Sequence, residues 1–422
     1  MSSSAAAVLK NGALSLKPPI SGLIAILKPS GCTSMSILDT LKPLLAQSRL
    51  FQVPANQELK EKQRWKSGTK RRRDNDRFTD TGDFMAPKIG QGGTLDPLAD
   101  GVLVLGIGSG TKHLQQFLEC TKEYKTVGLL GTSTLSYDAN DPILLRRPYD
   151  HVTANSIQDV LSSFRGKFKQ MPPLFSAIRI DGIRLFDYAR QGKDLPRPVE
   201  KRDVEISRLE LVDWKEGGKH NYKEPEKECD EIEKKVALRA RQLAGMEPPV
   251  EVKSDSHSGD AEEIKVKVRQ AELDKTKKFE AVQASGSAIP AAEETTREAK
   301  GAPPVFTLEM TVSSGTYVRS VVHDVGMQVE SAAHVVRLSR TRQGDWISPE
   351  YQVKEGEDEK ELKRAIDWDI LQRAAEELSS AKIQKTKDGS VKTQQDSTNK
   401  EDNDGLEEWE QLFIDHMQII ET

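Results

Sequence analysis

Aromatic residues make up only 5% of this 422-residue chain, and hydrophobic residues reach 36% against 30% charged. A sequence so poor in apolar area cannot bury all of itself, so part of it is expected to stay outside any core. Cysteine is nearly absent. Cys32, Cys120 and Cys229 lie far apart, with neither Cys-x-x-Cys spacing nor histidine companions, which excludes a disulfide framework and argues against a zinc site. No apolar run approaches the roughly 20 residues that span a bilayer, so no membrane partner is expected. The first residues lack the hydrophobic core of a secretory signal. Acid is missing from Met1 to Leu38, where Lys10, Lys17 and Lys28 stand among Ser and Ala; this weakly resembles a mitochondrial presequence, without the Arg such segments usually carry.

The formal charge of −4 says little until it is divided. Pro349 to Thr422 carries 10 Lys or Arg against 20 Asp or Glu, so this −10 leaves about +6 on the remainder. A modest basic excess suits a body that binds nucleic acid. Lys70-Arg71-Arg72-Arg73 lies inside a polar, basic stretch from about Arg49 to Lys88, which is a solvated loop, a nuclear localisation signal or a phosphate-contacting patch.

Periodicity predicts a strand at Leu23 to Leu27, then a one-sided helix from about Ser36 to Ala46, capped by Thr33 or Ser34, with Met35, Leu38, Leu41, Leu44 and Leu45 on its apolar face. A short amphipathic helix is expected between Gly110 and Thr121, a strand over Tyr124 to Leu130 and a helix near Ala154 to Phe164. Pro172-Pro173 keeps the next segment extended, and Leu185 to Gly192 reads as a helix. Strand Val204 to Leu211 has its natural hairpin partner in Val305 to Val312, where Phe306, Leu308, Met310 and Val312 alternate. Between them, Glu216 to Ala302 is dense in Lys and Glu and is expected to stay mostly disordered. After Gln352 the chain is similar but acidic, except for an amphipathic candidate at Leu406 to Ile420 that could dock on the body or on a partner.

The densest punctuation is Gly90-Gln91-Gly92-Gly93-Thr94-Leu95-Asp96-Pro97-Leu98-Ala99-Asp100-Gly101, followed by the apolar run Val102 to Gly108. Three glycines allow a tight turn and close approach to a ligand, and Pro97 restricts the residue before it. By residue type alone, Asp96 is a turn-former or a functional carboxylate.

Its company extends along the chain. Gly92-Gly93-Thr94-Leu95-Asp96-Pro97 resembles the motif of the TruB family of pseudouridine synthases, whose Asp is catalytic. Gly22 to Pro29 with Gly31 and Thr33-Ser34 resembles the family's opening strand and Lys-Pro turn. Lys122-Glu123-Tyr124 stands in the place of its Lys-x-Tyr motif, and Ser314-Gly315-Thr316-Tyr317-Val318-Arg319-Ser320 in that of its Gly-Thr-Tyr-Ile-Arg segment. Pro172-Pro173-Leu174-Phe175-Ser176-Ala177 lies between them. Four matches in the same order make the resemblance specific.

The resemblance implies isomerisation of uridine to its C-linked form in the TΨC arm of tRNA, at position 55, without metal or other cofactor. Asp96 would be the catalytic carboxylate, adding to the sugar or promoting elimination to a glycal. Arg319 would be the cation beside it; the bland alternative is a surface arginine on a strand. Tyr124 would stack on the unstacked base and take the C5 proton. Tyr317 would line the pocket, Leu338 would lie under the base, and Lys28, Gln91, Gly92, Gly93 and Thr94 would contact substrate. Two departures stand out: Gln91 where bacterial relatives often carry His, and Ser339 where the family often has Arg.

The implied fold is α+β, the pseudouridine synthase fold, a curved and mainly antiparallel sheet flanked by helices, with disordered insertions. Its catalytic domain would run over 22–347, interrupted at 49–88 and 216–302, and 348–422 would be an acidic extension with no evident PUA domain. Two other readings compete. One is a guide-RNA-dependent rRNA enzyme of the same superfamily, which the acidic tail and missing module disfavour. The other is a non-catalytic RNA-binding or RNA-folding protein, disfavoured by the intact Asp96, Tyr124 and Arg319. The expected partner is tRNA, with mRNA carrying a similar stem-loop left open. The protein is expected to be monomeric and to work in the nucleus, the mitochondrion or both, with the cytoplasm left open.

Overall fold

A computed structural model describes residues 18–54, 84–176, 178–190, 195–231, 233–235, 237, 302–387 and 406–420. The basic cluster Lys70 to Arg73 and Met1 to Lys17 lie outside the described residues. The chain forms two compact units, one from residues up to Lys125 together with those from Leu338 onward, the other from Thr126 to Arg337.

In the first unit, strand Gly22–Lys28 runs antiparallel to Asp100–Ile107, with Leu23 opposite Gly106 and Leu27 opposite Val102. Val102, Leu103, Val104 and Leu105 are all fully buried, so the run is continuously apolar because both of its faces are covered. Phe117, Leu114 and Trp346 pack on one side of it with Leu23 and Ala25. Helix Ser34–Gln47 starts where predicted, with the Thr33 hydroxyl accepting from Ser36 N. Its buried stripe is Ile37, Leu38, Leu41, Leu44 and Leu45. Met35, expected on that face, is half exposed; it sits in the first turn, off the stripe that Ile37 fills instead.

Both ends of the basic stretch are tied down, since Val53–Pro54 pairs antiparallel with Phe84–Met85. The amphipathic candidate near the C-terminus docks on the body. Its helix, Glu408–His416, buries Trp409, Phe413 and Ile414, and Gln418–Ile419 pairs with Gly22 and Leu23, covering that sheet edge. Glu410 is buried beside Ser48, whose hydroxyl donates to it at 2.5 Å. The acidic extension is therefore folded at both ends, with helix Trp368–Lys387 at the near one.

In the second unit, Arg202–Lys215 lies between Val305–Val312 and Gly166–Gln170, antiparallel to both. The predicted hairpin pairing holds, with Leu209 opposite Met310, and Phe306, Leu308, Met310 and Val312 are buried. Helix Val318–Gln328 replaces the strand that the bland alternative for Arg319 supposed. The spacing Val318, Val321, Val322, Val325 is helical, but four valines favour a strand by type, and tertiary burial of all four overrides that propensity.

The expectation for Glu216 to Ala302 is corrected at its start. Tyr222 packs against Val127, Leu129 and Val305, and Cys229 and Ala237 are buried with Leu144. Ile143 N donates to Lys227 O and Cys229 N to Ile143 O, both at 2.9 Å. Arg146 pairs with Glu224 and Glu228. A few apolar side chains and matched charges are enough to seat a segment whose average composition argues for solvation. The rest of that insertion lies outside the described residues.

The class is α+β. Antiparallel ladders build most of the pairing described above, and short parallel joins link Asp100–Gly101 with Ser339–Arg340 and Trp346–Ile347 with Lys363–Arg364. No helix among the described residues is long and apolar enough to cross a membrane.

Candidate active site

The Asp96 loop leaves strand Ile89–Gln91 and re-enters the sheet at Asp100. Its return is held by the residues around the Lys-Pro turn. Ser34 accepts from Leu95 N at 2.9 Å and donates to Leu95 O at 3.1 Å. Gly31 N donates to Pro97 O at 2.8 Å, and the Ser30 hydroxyl to Leu98 O at 2.6 Å. Asp96 itself is half-buried, and its own carbonyl accepts from Ala99 N at 3.1 Å. The backbone is thus fixed on both sides of a half-buried aspartate.

Lys28, expected among the substrate contacts, sits inside this turn and pins it. It is 1% exposed, and its ammonium donates to Pro29 O at 2.7 Å and Cys32 O at 2.8 Å and reaches Pro97 O at 3.5 Å. Burial pushes its pKa below the ordinary lysine value, against the upward pull of Cys32, Asp100 and Asp96.

Gly101 closes the loop at φ +101°, where a Cβ would stand 2.3 Å from Arg340 O; only glycine fits. Gln91 occupies the last position of strand Ile89–Gln91, opposite Leu105, and its side-chain oxygen is buried without a hydrogen-bond partner. Gly92 is buried, Gly93 half-buried and Thr94 exposed. Tyr124, on strand Lys122–Leu130, is half-buried. Leu338 is 4% exposed, on strand Ala333–Gln343. Of the residues singled out by sequence, these eight belong to the first unit: Lys28, Gln91, Gly92, Gly93, Thr94, Asp96, Tyr124 and Leu338.

Tyr317 and Arg319 belong to the second unit. Tyr317 is half-buried at the N-cap of helix Val318–Gln328. Gln170 grips its backbone twice, accepting from Tyr317 N at 2.8 Å and donating to Tyr317 O at 3.0 Å. Arg319 is 5% exposed. Its guanidinium donates to Ser136 O at 2.6 Å and Phe175 O at 3.2 Å, and lies 3.7 Å from an Asp138 carboxylate oxygen. Asp138 is oriented in turn by the Ser136 hydroxyl and by Asn140 N, each at 3.0 Å. A buried arginine held in three directions is the opposite of a surface side chain.

His323 is buried, stacked on Tyr137 with ring centroids 3.9 Å apart and joined to Ser133 at 3.0 Å. No group of three or more His, Cys, Asp or Glu among the described residues could hold a metal. Sequence reasoning missed Gln170, Arg340 and Gln343. No signal set them apart: Gly166–Gln170 carries two Lys and Ala333–Gln343 carries several other polar residues, so residue type alone did not single these out.

A model of the TruB family pseudouridylate synthase N-terminal domain matches residues 83–230. A protein named tRNA pseudouridine synthase 4 from Schizosaccharomyces pombe is 38% identical over 353 residues, covering 77% of this chain and 79% of its own length. The chain belongs to the TruB family of pseudouridine synthases. Among other relatives of this TruB protein, tRNA pseudouridine synthase 4 from Saccharomyces cerevisiae is 32% identical, with 86% of this chain and 87% of its own covered. Pseudouridylate synthase TRUB1 from Homo sapiens is 30% identical, with 80% and 64% covered. The TruB model's match begins just before the Asp96 loop and runs through Tyr124 and Ser136 to the start of the long insertion.

Proposed function

We propose that this protein isomerises uridine to pseudouridine in tRNA, at position 55 of the TΨC arm, with Asp96 as the catalytic carboxylate. The observation that carries this reading is the Asp96 loop, held by Ser30, Gly31 and Ser34 around a half-buried aspartate. The relatives' names supply the substrate class, because two of them are called tRNA pseudouridine synthases over four-fifths or so of their lengths.

The reaction breaks a bond from the sugar to the base nitrogen, turns the base and rejoins it through carbon. A fixed carboxylate supplies what the first step requires, either as a nucleophile at the sugar carbon or as the base that starts elimination. Holding the carboxylate before substrate arrives lowers the ordering that the transition state would otherwise require. Tyr124 supplies the aromatic face on which an unstacked base can rest, and its hydroxyl is the group proposed to take the C5 proton. Arg319 supplies the cation of the site, Leu338 an apolar floor and Tyr317 a second aromatic wall. Action on mRNA with a similar stem-loop, and a monomeric state, belong to the same proposal.

The deciding assay incubates the purified protein with unmodified tRNA transcript and maps pseudouridine by carbodiimide-dependent reverse-transcription stops. A stop at position 55, absent with Asp96→Asn although that variant still binds tRNA, is the expected result. Residual turnover above about a hundredth of wild type in Asp96→Asn removes the carboxylate role. No stop with the parent protein removes the activity.

A further inference from the structure

Strand Asp100–Ile107 has one interrupted edge. Its far end is paired by Ile89–Gln91, with Gln91 opposite Leu105, and its start by Ser339 and Arg340, opposite Asp100 and Gly101. Between these two ladders lies Val102 to Val104, where the Asp96 loop bulges out. Buried backbone groups on such an edge need partners. Gly92 N donates to Val104 O at 2.8 Å, and two side chains supply the rest. Arg340 Nε donates to Val102 O at 2.7 Å, and Gln343 Oε1 accepts from Val104 N at 3.4 Å.

The same side chains continue into the loop. Gln343 Nε2 donates to Gly92 O at 2.6 Å and to Phe117 O at 3.1 Å. The terminal nitrogens of Arg340 reach Gly93 O at 3.4 Å and Thr94 O at 3.5 Å. Arg340 is 1% exposed and Gln343 is fully buried, so neither presents its polar atoms to solvent. Gly92 and Gly93 are the most pliable pair in the loop, Gly93 standing at φ +123°, and they lie immediately before Thr94-Leu95-Asp96. Freedom at those two residues would pass directly to the carboxylate.

We propose that Arg340 and Gln343 are positioning residues for the isomerisation: they take the place of a missing strand partner, hold the carbonyls of Gly92, Gly93 and Thr94, and thereby set where Asp96 stands. The proposal rests on Asp96 being the catalytic carboxylate. Ser34 and Gly31 hold the other side of the loop independently, so loss of the Arg340 and Gln343 struts loosens the carboxylate without unfolding the turn. A displacement on the order of 1 Å is enough to cost up to about 100-fold in rate.

Two variants test this with a tRNA transcript as substrate. Gln343→Met keeps the side-chain volume and removes the amide; Arg340→Ala leaves a guanidinium-sized space and is assayed with and without millimolar methylguanidinium. Both are compared with the parent about ten degrees below the lowest melting midpoint of the set, so that only folded protein is read. The expected result is a kcat lowered about 10- to 100-fold in each, a KM for tRNA within about twofold of the parent, and partial recovery of kcat in Arg340→Ala by methylguanidinium. Normal kcat in folded Gln343→Met, or a raised KM with kcat unchanged in either variant, overturns the positioning role. So does an Arg340→Ala defect that methylguanidinium leaves untouched. Asp96→Asn run alongside separates the two ideas. An active Asp96→Asn removes the underlying assignment, whereas an inactive one beside fully active strut variants removes the positioning role alone.

Discussion

Phe413→Ala should uncouple the C-terminal segment from the first unit. Phe413 is fully buried, with its ring centroid 5.7 Å from that of Phe51 and 5.6 Å from that of Trp409, edge-on to both. Truncating a core phenylalanine costs about 3–5 kcal/mol, the transfer of the ring plus the cavity it leaves. The aromatic contacts, worth about 0.5–1.5 kcal/mol each beyond burial, place this site toward the upper part of that range. For a unit of this size the change corresponds to a midpoint lowered by roughly 6–20 °C. Urea and thermal melts followed by tryptophan fluorescence read it directly, because Trp409 stacks on Phe51 in the same cluster at 6.2 Å. Two compact units can melt separately, so the transition to score is the one that carries the Trp409 signal. Below the new midpoint, turnover on tRNA should persist, since the substitution touches none of the groups holding the Asp96 loop. A loss under about 1 kcal/mol would mean that the segment rests on the body without contributing to its core.

Arg319→Lys should lower turnover about tenfold or more, because one ammonium cannot reach both Ser136 O and Phe175 O while facing Asp138; near-normal rates in a tRNA assay would take Arg319 out of the mechanism. Gly101→Ala should destabilise and inactivate together, given φ +101° and a new Cβ 2.3 Å from Arg340 O, and an alanine variant that melts and turns over like the parent would contradict the packing described. Replacing Gly217 to Gly301 by a short Gly/Ser loop should lower stability by about 2–4 kcal/mol, since Tyr222, Cys229 and Ala237 leave their apolar sites; a shortened protein that melts at or above the parent temperature would show that these contacts contribute nothing net.

The elements that sequence made legible are those whose signal is local. Thr33 announces a helix start because its own hydroxyl caps it, and Phe306, Leu308, Met310 and Val312 announce a half-buried strand because side chains alternate. The hairpin from Arg202–Lys215 to Val305–Val312 could be paired across the long insertion because both flanks of that insertion read as strands. The family motifs were legible for a related reason. Gly93 and Gly101 are dictated by their positive φ, which leaves few residue choices, and Gly92 by the Phe117 side chain packed against it.

What the sequence could not yield depends on contacts made at a distance. Nothing in the sequence around Lys28 showed that the turn would fold around it and bring its ammonium to three carbonyls. The start of the charged insertion looked solvated because composition averages over a segment, whereas seating it required only Tyr222, Cys229 and the Arg146 pairs at particular places. Helix Val318–Gln328 had the right spacing and the wrong residue types, and burial settled it. Arg340 and Gln343 act on carbonyls some 240 residues earlier in the chain. A backbone carbonyl leaves no mark on residue identity, so bonds to it stay invisible until the chain has folded.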